Sequence, residues 1–158
     1  NRGKLFYTQE RVGKNGEVFN IMKFRTMVKN AEKDGAVFAT SNDTRITPFG
    51  KILRKSRIDE FPQFINILEG DMAVIGPRPE RPIFVKEIAE VMPFYETRHV
   101  IKPGLTGWAQ VNYSYGETID DSLIKLQYDL YYIKHRSLFL DFNIIFKTLS
   151  TILFYRGQ

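Results

Sequence analysis

Cysteine is absent from the 158 residues, and histidine and tryptophan are almost as scarce, with two and one. Without thiols there can be no disulfide and no thiolate metal site, and a cytosolic setting is the consistent one. His99 and His135 lie far apart in sequence, so a histidine-based metal centre is not expected. Long apolar runs are missing as well. No stretch approaches the roughly 20 apolar residues of a membrane-spanning helix; the nearest, Leu138 to Tyr155, is broken by Asp141, Asn143 and Lys147. A charged leader followed by an apolar segment is not seen, so no signal peptide is read, and the first residue, Asn1, suggests an excised piece. Repeats, linkers and low-complexity tracts are lacking too.

What is present is a globular composition. Hydrophobic residues make up 43% and aromatics 14%, enough apolar surface for one packed interior, so residues 1–158 are read as a single domain. Lysine and arginine exceed the acidic residues by five. A basic surplus of that kind suits anionic partners: phosphates, nucleic acid or an acidic membrane face.

The pattern along the chain predicts a compact α/β (α+β) fold, rich in helices, with a small antiparallel β-hairpin. Lys4 to Thr26 is the hairpin, turning at Lys14-Asn15-Gly16. Lys29 to Thr44 is expected to hold a short helix and a loop. Thr47-Pro48 is a helix start, with Thr as cap and Pro in the first turn, and that helix carries Lys51, Arg54, Lys55 and Arg57. Pro62 ends it or begins the next, Gln63 to Glu69, which Gly70 closes. Met72 to Ile75 is a short buried strand, Arg81 to Tyr95 a helix, and Lys102 to Val111 an extended segment. Asp121 to Lys134 is amphipathic, with Leu123, Leu126, Leu130 and Ile133 at helical spacing. Leu138 to Tyr155 is a more apolar helix. Most of its Phe139, Phe142, Phe146 and Phe154 side chains are expected in a core; the alternative is a helix lying in a membrane interface with those rings partly inserted.

The chemistry is concentrated in Arg54 to Gln63, RKSRIDEFPQ. Asp59 and Glu60 stand side by side before a proline-initiated helix, with Arg54, Lys55 and Arg57 just upstream. A helix N-terminus and nearby cations both favour ionised carboxylates. An ionised carboxylate can act as a nucleophile, and a second can hold a hard cation such as Mg²⁺. Acidic pairs also serve as plain helix caps, so spacing alone leaves both roles open. In Gly76-Pro77-Arg78-Pro79 the prolines stiffen the backbone on both sides of an arginine, a residue suited to bidentate phosphate recognition. Lys23-Phe24-Arg25 with Arg45, and Arg98 with Lys102, supply further cations of the kind phosphoryl transfer requires.

These residues resemble a known family, the monotopic polyprenyl-phosphate phosphoglycosyl transferases or bacterial sugar transferases. The likeness covers nearly the whole chain: QERVG at Gln9 to Gly13, KFRTM at Lys23 to Met27, RKSRIDEFPQ, GDMAVIGPRPE at Gly70 to Glu80, KPGLTGWAQVN at Lys102 to Asn112, and the segment from Tyr128 to Thr148. The resemblance implies an enzyme at the cytoplasmic face of the bacterial inner membrane. It implies transfer of a sugar 1-phosphate from a UDP-sugar to a polyprenyl phosphate, usually undecaprenyl phosphate, with release of UMP. This would be the first membrane step of exopolysaccharide, capsule or O-antigen synthesis. Asp59 falls on the nucleophile that forms a phosphosugar-aspartyl intermediate, and Glu60 on the glutamate implicated with Mg²⁺. Arg78, between Pro77 and Pro79, is expected at the donor phosphates or uridine, with Arg25, Arg54 and Arg98 as further phosphate contacts. The family also carries a membrane-inserted helix-break-helix segment ahead of the region that starts here. Its absence from this chain predicts poor activity on polyprenyl phosphate with donor binding retained. The alternative is a phosphate- or membrane-surface-binding module without turnover, which would keep the basic patches and have no need of Asp59. Nucleic acid is not expected as a partner, since no helix carries a continuous basic recognition face.

Overall fold

Two strands of alternating side chains open the fold. In the computed structural model, which describes residues 4–32, 43–113 and 118–153, β1 (Phe6–Val12) pairs antiparallel with β2 (Val18–Phe24), Phe6 opposite Phe24 and Val12 opposite Val18. The turn is the expected one: Asn15 and Gly16 both take positive φ, 57° and 82°, as a tight reversal demands. Along β2 the period of two sends Phe19, Ile21 and Lys23 to the more buried face. Of the predicted short helix within Lys29 to Thr44, residues 29–32 form a turn, and the remainder falls mostly outside the described residues.

Helix α1 (Pro48–Lys55) begins as its sequence demands. Thr47 Oγ1 accepts from the Gly50 amide at 2.9 Å and donates to the Thr26 carbonyl at 3.1 Å. Gly50 lies so close to the Thr26 carbonyl that no β-carbon fits between them. The helix is shorter than expected. It stops at Lys55, Ser56 caps it, and Arg57 turns left-handed at φ 59°. Asp59 and Glu60 then sit in a separate 3₁₀ turn, Ile58–Glu60, that leads into α2 (Gln63–Glu69). Gly70, at φ 91°, closes α2 as its sequence foretells. Asn66 ties α2 to the hairpin: its Oδ1 accepts from the Met22 amide at 3.0 Å and its Nδ2 donates to the Asn20 carbonyl at 2.9 Å.

A second, parallel pair joins β3 (Ala73–Ile75) to β4 (Gly104–Thr106). The extended segment predicted for Lys102 to Val111 is correct only as far as Thr106. Trp108–Asn112 is a short helix, α4, which starts after Gly107. Between the parallel strands runs α3 (Pro82–Val91), which ends short of the predicted Tyr95. Pro93 is the reason: it pushes Met92 into an extended conformation, after which Tyr95–Val100 winds as a 3₁₀ segment. A capping box on Thr118 and Asp121 then starts α5 (Ile119–His135), and α6 is Leu138–Leu153. No described helix is long and apolar enough to cross a membrane.

The core gathers Val12 from β1, Phe84, Val85 and Ile88 from α3, then Met92, Tyr95 and Leu126, with Leu130 against it. Helix α6 corrects the sequence reading. Ile144 is fully buried, but Phe139, Phe142 and Phe146 are 81%, 59% and 69% exposed. These rings therefore form an outward apolar face, not core; Phe154 lies outside the described residues.

The strand crossing at Gly104 leaves no room for a side chain, because a β-carbon there would collide with the Gly76 amide and the Thr106 carbonyl. Gly104→Ala is therefore expected to cost about 1–3 kcal/mol. Val74→Ala, on the exposed face of the neighbouring strand, should stay within about 0.5 kcal/mol. Chemical denaturation of the two variants checks the difference.

Candidate active site

Four separate pieces of chain place the charged groups. The 3₁₀ turn supplies Asp59 and Glu60, the left-handed residue that opens this turn is Arg57, β2 supplies Lys23, and the proline-flanked loop after β3 supplies Arg78. Glu60 is the hub. Its Oε1 accepts from Lys23 Nζ at 2.8 Å and from Arg78 Nη2 at 2.7 Å, while Arg57 Nη1 stands 3.7 Å from Oε2. Only 8% of the Glu60 side chain is exposed. Burial alone would raise its pKa, but Arg78, Lys23 and Arg57 outweigh that effect and hold it well below the ordinary carboxylate range. Arg78 is correspondingly fixed as a cation, chiefly by the charge of Glu60.

Asp59 is the contrasting half of the dyad. It too is buried, yet no described residue makes a hydrogen bond or ion pair to its carboxylate. Its pKa is raised, first by burial and then by the neighbouring charge of Glu60, against the pull of Lys23, Arg54 and Arg78. The sequence alone pointed to cations favouring ionisation; in the folded protein burial and the adjacent anion win. Two adjacent carboxylates thus have opposite environments. One is gripped by cations and the other is a more basic carboxylate to which no described residue hydrogen-bonds, an arrangement suited to splitting roles between two acids.

The other predicted residues fall at different distances from this centre. Pro77 and Pro79 are buried on either side of Arg78. The Pro77 carbonyl accepts from the Gly104 amide at 2.9 Å, and that of Pro79 from Arg11 Nη1 at 3.1 Å. Arg54 is half-buried, with Nε donating to Thr26 Oγ1 at 2.9 Å, and its charge reaches Asp59. Arg25 follows β2, and its amide donates to the Leu5 carbonyl at 2.9 Å. Arg98 does not stand open to a phosphate. Its guanidinium is 4% exposed and donates to Asp129, to the Tyr95 hydroxyl and to the Arg78 carbonyl. Arg45 is likewise engaged elsewhere, pairing with Asp43 at 2.6 Å and holding that carboxyl down at about 2.

Sequence reasoning singled out Lys23 only as one of several cations, and Arg57 only as a basic neighbour. The signal for Lys23 was available: a lysine on the face of β2 shared with buried Ile21 must meet an anion. Asp129 was missed, because a lone aspartate on an amphipathic helix looks solvated until its neighbours are known.

Mg²⁺ takes one or two carboxylates together with phosphate oxygens and water. Among the described residues no group of three or more His, Cys, Asp and Glu is placed to hold a metal ion. Glu60 has one oxygen shared by Lys23 and Arg78 and a second whose only ion pair, to Arg57, is long. That second oxygen fits a metal held mainly by a substrate's phosphates.

With this geometry established, comparison with known proteins is direct. The bacterial sugar transferase family profile matches residues 1–155. A UDP-N-acetylgalactosamine-undecaprenyl-phosphate N-acetylgalactosaminephosphotransferase of Aeromonas hydrophila is 52% identical over 151 residues, 96% of this chain and 36% of that protein. Two UDP-glucose:undecaprenyl-phosphate glucose-1-phosphate transferases follow. That of Xanthomonas campestris pv. campestris is 44% identical over 96% of this chain and 32% of its own length. That of Klebsiella pneumoniae is 42% identical over 93% and 32%. The chain belongs to the bacterial sugar transferase family. It spans about a third of the length of these relatives.

Removing the Glu60 charge would leave Lys23, Arg57 and Arg78 facing one another. Glu60→Gln is expected to destabilise the fold by about 3–5 kcal/mol, the usual cost of breaking a buried ion pair from one side. Because the folded pKa is depressed, the stabilisation is present above the ordinary value of 4.5 and lost as pH falls below it. The wild-type and Glu60→Gln melting curves should therefore converge in acid; parallel curves down to the lowest accessible pH would contradict the assignment.

Proposed function

We propose that this chain carries the catalytic centre of a phosphoglycosyl transferase that moves a sugar 1-phosphate from a UDP-sugar to undecaprenyl phosphate. The observation that carries this reading is the Asp59 carboxylate, to which no described residue hydrogen-bonds, beside a glutamate gripped by Lys23, Arg57 and Arg78. The names of the relatives support the substrate classes, a nucleotide sugar and a polyprenyl phosphate.

In this mechanism Asp59 attacks the phosphorus that bears the sugar. One P–O bond forms to the carboxylate, the P–O bond to the uridine monophosphate breaks, and UMP leaves with the electron pair. The aspartyl phosphosugar is a mixed anhydride. An oxygen of undecaprenyl phosphate then attacks the same phosphorus, forming the polyprenyl diphosphate sugar and returning Asp59 to its ionised state. Arg78 is set at the donor's phosphates, where a bidentate cation neutralises charge as it builds. Arg54, whose charge reaches Asp59, and Arg25, after β2, are further phosphate contacts. Glu60 holds Arg78 in place and would be the protein ligand for Mg²⁺. The ion supplies charge neutralisation for the diphosphate.

Exposed apolar side chains support a lipid substrate. Ile58, Phe61, Phe64, Ile65 and Leu68 are all exposed in the turn and helix that carry the dyad, and Phe139, Phe142 and Phe146 are exposed on α6. Exposed apolar surface of this extent on a basic protein suits the cytoplasmic face of an anionic membrane.

The test is Asp59→Asn, expressed with native flanking sequence in membranes, with UMP followed over a panel of UDP-sugars. UMP release should fall by at least about a thousandfold, since an amide cannot serve as the nucleophile. Release at the wild-type rate would remove Asp59 from the chemistry, and no release from either protein would favour a non-catalytic binding module. The wild-type rate should also decline in acid at a pH above the ordinary aspartate value of 3.8, because Asp59 must be ionised to attack and its pKa is raised.

A further inference from the structure

We propose that Asp129 is a positioning residue for the transfer: through Arg98 it fixes the backbone of Arg78, and so the place of the Arg78 guanidinium against Glu60. The proposal rests on the reading above, in which Arg78 serves the donor phosphates.

The link is continuous and crosses four parts of the chain. Asp129, on α5, accepts at one oxygen, Oδ2, from both Arg98 Nε at 3.0 Å and Arg98 Nη2 at 2.7 Å. The same Nη2 donates at 2.9 Å to the carbonyl of Arg78. Arg98 Nη1 donates to the Tyr95 hydroxyl at 2.9 Å, so the fork cannot swing. The far end of Arg78 donates to Glu60 at 2.7 Å. Arg98 and Asp129 are almost wholly buried, at 4% and 2% side-chain exposure.

The loop itself shows why this matters. Pro77 and Pro79 have no amide hydrogen to donate, so the loop is anchored largely by its carbonyls. That of Pro77 is held by the Gly104 amide, that of Pro79 by Arg11, and that of Arg78 by Arg98. Without Arg98, the residue that carries the phosphate-directed guanidinium is the one whose backbone acceptor is left unheld. Stability is a weak explanation for the pair, since a buried ion pair is commonly no better than well-packed apolar residues of similar volume. Positioning accounts for its surplus donor.

The double replacement Arg98→Met with Asp129→Leu removes both buried charges together and leaves neither stranded. Asp129→Asn and Arg98→Lys are milder companions. Each is assayed in membranes, with the native flanking sequence, for UMP release from UDP-N-acetylgalactosamine and UDP-glucose with undecaprenyl phosphate, and for cooperative thermal unfolding. Each is then repeated in an Arg78→Ala background. Folded variants should lose activity on the order of tenfold to a hundredfold, the scale of a roughly 1 Å misplacement. In the Arg78→Ala background the same changes should alter the rate by less than about twofold, because a residue acting through Arg78 has nothing left to position. Equal losses in both backgrounds, full activity of the double replacement, or failure of all three variants to fold would each overturn the positioning role and leave the reading of the site intact. Full activity of Arg78→Ala alone would overturn both.

Discussion

One oxygen of Glu60 accepts from Lys23 and Arg78 at once, and the site is organised around that shared acceptor. A buried carboxylate is tolerated only where cations offset its lost hydration. Here they come from a strand and from a proline-stiffened loop, so the interaction that neutralises Glu60 also draws hairpin, turn and loop together. Its consequence falls on the neighbour. Asp59 inherits the burial and the repulsion of Glu60 without a partner among the described residues, and both push its pKa up. A buried carboxylate near Lys23, Arg54 and Arg78 suits the nucleophile proposed above.

The rest of the fold serves to hold those pieces in register. Asn66 pins α2 to β2, which keeps Glu60 beside Lys23. Gly50 lets α1 lie directly on the chain at Thr26, and the left-handed Arg57 breaks α1 early enough to turn the dyad inward. Helix α5 and the 3₁₀ segment before β4 contribute a buried cation and anion that continue the polar network from Glu60 into the interior. The apolar side chains left outside include Ile58, Phe61, Phe64, Ile65 and Leu68 around the dyad and Phe139, Phe142 and Phe146 on α6. The turn and helix at the dyad thus carry buried charge and exposed apolar side chains together.

Much of this was legible in the sequence. The Thr47-Pro48 start, the Asn15-Gly16 turn and the Gly70 stop are local signals, and each appears where the residues predict it. The dyad and the Pro-Arg-Pro loop stood out by composition, and the family resemblance agrees with the match over residues 1–155. What was not legible depended on tertiary contact. Whether Arg98 meets phosphate or protein is decided by Asp129, which is remote in sequence. Whether the α6 phenylalanines face in or out depends on which side Ile144 packs, and an apolar helix does not announce that. The direction of the Asp59 shift needed its burial, which a run of flanking arginines conceals.

The central claim is a covalent bond between Asp59 and the phosphosugar, and the most direct measurement is the mass of the protein itself. Enzyme in membranes, given a UDP-sugar and no polyprenyl phosphate, should gain the mass of one sugar phosphate less water. Peptide mapping should place the addition on the peptide containing Asp59, and undecaprenyl phosphate should discharge it. An unmodified mass under conditions where UMP is released, or an adduct mapped to another residue, would contradict the account.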